Sequence, residues 1–245
     1  MKDKQEPITS ISEFPGNDRI LNFIQSHDQN RNEDLSILDF GCGRGKAVIW
    51  LRKQGYKAKG VDISSDYIAH GQKYLRETGG EPSCLVSLED PGSLPFESGK
   101  FDLIFSNQVF EHVKDPDTIL PELARVSKHG GNHFHLLPAR EQFFEPHLLM
   151  PIVHWLPKNP VRKPFIAICT LMGLEPNWDQ SDSMGEKISA YYKYGITDVF
   201  YRSRTFYRKL FTNFFESVSI SPIRNYSKKS LFGLFPAFYS IKATK

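Results

Sequence analysis

Ile37-Leu38-Asp39-Phe40-Gly41-Cys42-Gly43-Arg44-Gly45 is a short apolar run, broken by one acid, that ends in three glycines at alternate positions. An apolar run of this length bounded by turn residues reads as a buried strand, and the amphipathic stretch after it, 46–54, reads as a helix. Alternate glycines permit positive φ and let the backbone approach a ligand closely, which places a nucleotide-type site at the carboxyl end of the strand. The spacing is Gly-x-Gly-x-Gly. A dinucleotide fingerprint needs glycine where this chain has Lys46, and no Gly-Lys-Ser/Thr follows with the spacing of a phosphate-cradling loop. A tight strand-to-helix turn without a ligand is the plainer reading of the same glycines.

Working outward, strand signals recur at 58–63 and 101–106, more weakly at 83–88, and again at 132–137. Helical patterns lie between them at 65–77 and 116–126, the latter expected to be stopped by Gly130-Gly131. Strands alternating with helices predict an α/β, Rossmann-like, doubly wound and mostly parallel sheet. Residues 1–30 read as a polar lead-in with a short amphipathic segment at 18–25, and 31–138 as the core. Residues 139–198 are proline- and aromatic-rich without a clean strand, which suggests a helical lid insertion. Residues 199–245 return a helix at 198–212 and strands near 215–221 and 236–244, which fit an antiparallel edge.

The 245 residues are 40% hydrophobic and 24% charged, an ordinary globular composition that excludes collagen, disordered polymers and disulfide miniproteins. The longest uncharged runs, 146–157, 164–174 and 231–241, fall short of the roughly 18 to 20 residues of a membrane-spanning helix. The polar start has no apolar signal core, and three scattered cysteines fit a reducing compartment, so a cytoplasmic protein is expected. The net charge of +3 conceals an asymmetry: from Tyr201 onward nine Lys and Arg face only Glu216. That end suits peripheral contact with an anionic membrane surface or another anion, or simply solvated helix faces. With pI near 8.6 and no clustered basic stripe, no nucleic-acid partner is expected, and no obligate protein partner is evident.

A second acid, Asp62 in Gly60-Val61-Asp62-Ile63-Ser64, ends the second strand 17 residues after Gly45, where a carboxylate accepts both hydrogen bonds of a ribose diol. The assembled motifs are Leu38 to Gly45, Gly60 to Ser64, Leu94-Pro95-Phe96 with Phe101-Asp102-Leu103-Ile104-Phe105-Ser106, Phe110-Glu111-His112-Val113-Lys114-Asp115-Pro116, and Glu122 to Gly131. Together they resemble the class I S-adenosylmethionine-dependent methyltransferases, within them the type 11 subgroup, over residues 35–138. The resemblance implies S-adenosyl-L-methionine as cofactor. By it, Asp39, Gly41, Cys42, Gly43 and Gly45 build the turn at the methionine end, Asp62 holds the ribose, and Ile63 packs on adenine. It also implies an acid before Leu94 for the adenine amino group. Asp90 fits the spacing but precedes Pro91, which has no N–H, whereas Glu89 followed by the Asp90 amide supplies both bonds, and both acids stay in play. Asn107 and Gln108 fall beside the methionine part.

A sulfonium is already an activated methyl donor, so the protein's remaining task is positioning, with a general base useful for a hydroxyl acceptor. His147, held by Pro146 next to Glu145, is the main base candidate, and His112 after the fourth strand is another. His133 and His135 alternate on the fifth strand, but no further ligand has supporting spacing and no metal is expected. Of 32 aromatic residues, 21 follow His133, enough rings to stack on a sugar or isoprenoid face. The expected activity is methyl transfer to a hydroxyl of a small-molecule, glycan or lipid-linked acceptor. The alternatives are a protein or RNA acceptor, or a cofactor-binding relative without turnover.

Overall fold

A computed structural model describes residues 13–28, 35–90, 92–179, 181, 183–224 and 236–245. It contains helices α1 (Asp18–His27), α2 (Lys46–Lys53), α3 (Ser65–Glu77), α4 (Pro116–Val126), α5 (Arg162–Leu171), α6 (Met184–Thr197) and α7 (Arg204–Phe211). The strands are β1 (Ser36–Phe40), β2 (Lys57–Asp62), β3 (Leu85–Ser87), β4 (Phe101–Asn107), β5 (Ser127–Pro138), β6 (Ser217–Arg224) and β7 (Pro236–Thr244). They form one seven-stranded sheet in the order β3-β2-β1-β4-β5-β7-β6. The pairs from β3 to β5 are parallel, and β7 runs antiparallel between β5 and β6. The expected α/β, doubly wound, mostly parallel sheet with an antiparallel edge and a helical lid is therefore present.

Alternation along the strands explains why helices cover both faces. Ile37, Leu103, Phe105, Phe134 and Leu136 pack with Ile20, Phe23 and Ile24 of α1, Val48 and Leu51 of α2, and Ile68 and Leu75 of α3. Leu38, Phe40, Ile104 and Leu137 pack with Ile119, Leu120 and Leu123 of α4 and Tyr207, Leu210 and Phe211 of α7. Successive residues of one strand thus feed two different cores, the signature of a strand buried on both sides. Residues of the lid, Leu148, Met150, Val153, Ile166, Cys169 and Tyr191, build a third cluster of their own.

Two expectations are corrected. Gly130-Gly131 does not stop α4, which already ends at Val126; the pair lies inside β5, with Gly130 at φ +75° next to a shift in the β4–β5 register. The helix expected at 198–212 begins only at Arg204, capped by the Ser203 hydroxyl accepting from the Phe206 N–H. Residues 198–202 instead run along the turn after β4: the Phe200 N–H donates to the Glu111 carbonyl at 2.6 Å, and the Arg202 guanidinium donates to the Val113 and Lys114 carbonyls. Among the described residues no helix is long and apolar enough to cross a membrane.

Candidate active site

The order β3-β2-β1-β4-β5 reverses its winding between β1 and β4, and a doubly wound sheet opens a crevice beyond the carboxyl ends of the strands at such a point. A cavity of about 330 Å³ lies there, lined among others by Asp39, Gly41, Cys42, Gly43, Phe105 and Asn107. Gly41 sits at φ +78°, where a Cβ would fall 2.3 Å from Val109 Cγ2, so only glycine fits the turn. Gly43, at φ +55°, has nothing within 4 Å of an ideal Cβ and presents bare backbone to open space.

The polar groups around that turn are acceptors. Asp39 is buried, receives no side-chain hydrogen bond from the described residues, and has its carboxyl pushed up to about 8 by burial, with the nearby Asp62 charge adding to the effect. Asp62 Oδ2 accepts from the Gly43 N–H and Oδ1 from the Ser64 N–H, both at 2.8 Å, which fixes its carboxylate against the glycine turn. Asn107 Oδ1, on the cavity wall, is buried without a hydrogen-bond partner among the described residues. Two adjacent carboxylates and an orphaned amide oxygen make a corner that suits a ligand bearing cationic N–H donors, and the expected cofactor carries an ammonium group.

Gly45 does not face the cavity. It turns the chain into α2 at φ +73°, and a Cβ there would strike the Leu85 side chain. Ile63 is 67% exposed just past β2, an aliphatic surface free to cover a ring. Asp90 spends Oδ1 on the Gly92 N–H at 2.8 Å, while Glu89 is exposed beside it. Gln108 stands at φ +56° and its N–H donates to the Leu136 carbonyl at 2.7 Å, which leaves its side chain outward. Several lining residues escaped the sequence reading: Pro15, Gly16 and Ile20 from the lead-in, and Tyr67 of α3 beneath the Arg44 guanidinium. The amphipathic period of α1 was the available signal for Ile20. Pro15 and Gly16 carried none.

A second polar group forms where the turn after β4 meets the lid. Glu145 is buried and accepts from the backbone N–H groups of His147 and Leu148, from His147 Nδ1–H at 2.8 Å and from the Tyr201 hydroxyl. Burial alone raises its carboxyl, but these donors, with His147 first, outweigh that and leave it below the usual value. The same burial beside Glu145 pushes the Tyr201 hydroxyl well up. His112 and His147 meet edge to face, ring centroids 5.0 Å apart. His112 Nδ1 donates to the Asp198 carbonyl at 2.7 Å, and burial draws that imidazole below its ordinary pKa. Glu111 is fully buried, both carboxyl oxygens lack hydrogen-bond partners among the described residues, and burial pushes it up to about 8.

The structure thus brings Glu145, His147 and His112 together and adds Tyr201 and Glu111. His154 Nε2 instead bonds the Arg140 carbonyl at 3.0 Å, a packing role within the lid. His133 and His135 are buried in the core under Phe211 and Phe215, with His135 Nδ1 sharing a 2.9 Å hydrogen bond with Ser106 Oγ.

Residues 38–135 match a family model described as a methyltransferase domain. Norajmaline N-methyltransferase of Rauvolfia serpentina is 30% identical over 115 residues, covering 46% of this chain and 39% of that protein. Ubiquinone biosynthesis O-methyltransferase of Methylococcus capsulatus is 29% identical over 114 residues, 46% of this chain and 47% of the relative. The chain therefore spans less than half the length of these curated relatives. The crystal structure of geranyl diphosphate C-methyltransferase from Streptomyces coelicolor, in complex with Mg2+, geranyl diphosphate and S-adenosyl-L-homocysteine, covers 93% of this chain and 77% of its own, with a TM-score of 0.56 at 15% identity. That likeness concerns the fold.

Proposed function

The chain belongs, through residues 38–135, to the class I S-adenosylmethionine-dependent methyltransferases, and on that premise we propose that it methylates a hydroxyl of a small-molecule, glycan or lipid-linked acceptor. The observation that carries the reading is the buried Asp39 carboxyl and the unpartnered Asn107 Oδ1 on the cavity wall, with Asp62 fixed against a glycine turn whose Gly43 faces open space. When bound, the cofactor supplies a methyl group already activated on a sulfonium. Asp39 and Asn107 take its ammonium, Asp62 takes the ribose hydroxyls, and Ile63 covers one adenine face. Since Asp90 is committed to Gly92, Glu89 with the Asp90 amide is the better adenine pair.

The relatives named act on nitrogen, oxygen and carbon, so the choice of oxygen rests on the lid. A hydroxyl must lose a proton as it is methylated, and an imidazole buttressed by a carboxylate is suited to receive it. His147, with Glu145 on Nδ1, leaves Nε2 to face the acceptor, and His112 flanks it. The lid rings and the basic end beyond Tyr201 favour an acceptor with an apolar body and an anionic group, or peripheral contact with an anionic membrane surface.

Calorimetric titration with S-adenosylhomocysteine, using NAD as control, tests the cofactor side. Micromolar binding to the first alone is expected, and Asp62→Ala should weaken it; unchanged affinity in that variant rejects the placement. On the acceptor side, His147→Ala should lower turnover at nearly constant S-adenosylhomocysteine affinity.

A further inference from the structure

Resting on the reading of the β4–lid junction as the place where the acceptor is activated, we propose that Glu111, His112 and His147 bind one divalent transition-metal ion of the zinc class. The metal's open position takes the acceptor oxygen, and metal acidification of the O–H replaces proton abstraction by the imidazole.

His147 is remote in sequence from the adjacent Glu111 and His112, but one ligand atom from each lies within 4.8 Å of the other two. Both imidazoles are held as metal ligands are held. A ligating histidine donates its other ring N–H to a carboxylate or a backbone carbonyl, which fixes the tautomer and the ring direction. His147 Nδ1 donates to Glu145, and His112 Nδ1 donates to the Asp198 carbonyl, leaving a lone pair on each Nε2. Glu111 supplies the independent observation. It is wholly buried, yet neither oxygen has a hydrogen-bond partner among the described residues, an arrangement costly for a carboxylate unless a cation completes it.

The donor set selects the ion. Two imidazoles and one carboxylate are a ligand set of open zinc sites, whereas magnesium and calcium prefer oxygen. Ligand bonds of about 2.0 to 2.2 Å in a tetrahedron put donor atoms roughly 3.2 to 3.6 Å apart. His112 Nε2 and Glu111 Oε1 are already 3.9 Å apart and the three ligand atoms lie within 4.8 Å of one another, so closure by about 1 Å brings them to tetrahedral spacing. The partly exposed His112 leaves a route for the ion. The metal draws charge from a coordinated hydroxyl, whose proton passes to water. The oxygen lone pair then forms the O–C bond as the C–S bond breaks, its electron pair remaining on sulfur.

The test uses the chelator-treated full-length chain titrated with Co2+ alone and then Zn2+. One Co2+ per chain is expected, with visible bands of a low-coordinate site that Zn2+ abolishes. Glu111→Gln and His147→Asn should each weaken Co2+ at least about 100-fold, and Glu145→Gln, which removes an outer partner, about 10- to 100-fold, with melting curves verifying the fold. No bands at millimolar Co2+, or bands unaltered in Glu111→Gln and His147→Asn, overturn the site. S-adenosylhomocysteine affinity of the same samples reads the cofactor side separately. If it is retained without a Co2+ site, the metal is rejected and the methyl-transfer reading stands; a Co2+ site in a chain that binds no S-adenosylhomocysteine supports the metal and rejects that reading.

Discussion

With the ammonium of the cofactor placed on Asp39 as proposed, cofactor binding becomes a proton-linked event whose size follows from the surroundings of that carboxyl. Its carboxyl titrates near 8 in the ligand-free chain because burial, and then the Asp62 charge, disfavour its ionised form. At pH 7 only about 9% of the chains carry an ionised Asp39, and at pH 6 about 1%. A ligand whose ammonium pairs with that carboxylate binds the ionised minority, so its affinity should fall close to tenfold between pH 7 and pH 6. Roughly one proton should be released per molecule bound. Titration calorimetry with S-adenosylhomocysteine at both pH values, in two buffers of different ionisation enthalpy, measures affinity and proton count together. Asp39→Asn should abolish the dependence and, losing a charge-assisted hydrogen bond worth about 1.5 to 3 kcal/mol, weaken binding at pH 8 by roughly 10- to 150-fold. The variant should also melt higher at pH 7, since a carboxyl whose pKa rises on folding opposes folding above its unfolded value. Equal affinities at pH 6 and 7 in the parent chain, or a retained slope in Asp39→Asn, would refute the assignment of the ammonium to this carboxylate.

Buried His133 and His135 should make the fold acid-sensitive. Burial holds His135 down to about 3 and His133 well below its ordinary value, so only the unfolded chain takes up these protons below about pH 6.5. Their contribution is complete above that pH and drains away as the pH falls, His135 alone costing about 2 kcal/mol by pH 5, to be read from urea melts of the parent, His133→Phe and His135→Phe. Gly41→Ala should destabilise more than Gly43→Ala by equilibrium unfolding, since its Cβ would lie 2.3 Å from Val109, whereas Gly43→Ala should mainly lower S-adenosylhomocysteine affinity. Tyr201→Phe removes a hydroxyl that donates to Glu145; turnover should drop while cofactor affinity holds, and an unchanged rate would free His147 from that support.

The sequence by itself determined the sheet's centre and the glycine turn. The β1 run, the helix 65–77, the helix 116–126 and Asp62 at a strand end are each written in apolar period and turn chemistry over a window of roughly ten residues, and such local signals survive whatever packs around them. Only the tertiary structure decided what closes the cavity and which side chains meet where the lid reaches the turn after β4. Pro15 and Gly16 reach the glycine turn because α1 docks its Ile20, Phe23 and Ile24 on one sheet face, a choice no local pattern encodes. Segment 198–202 carries an apparent helix pattern, yet its backbone bonds go to the turn after β4 and bring Tyr201 to Glu145. Glu111 and His112 meet His147 across 34 intervening residues, whereas reading for metal spacing reached only neighbours such as His133 and His135. Period and turn propensity are one-dimensional and short in range. Which loop lies over which is set by burial and hydrogen bonding between distant segments, and the cluster of Glu111, His112, Glu145, His147 and Tyr201 is built from those contacts.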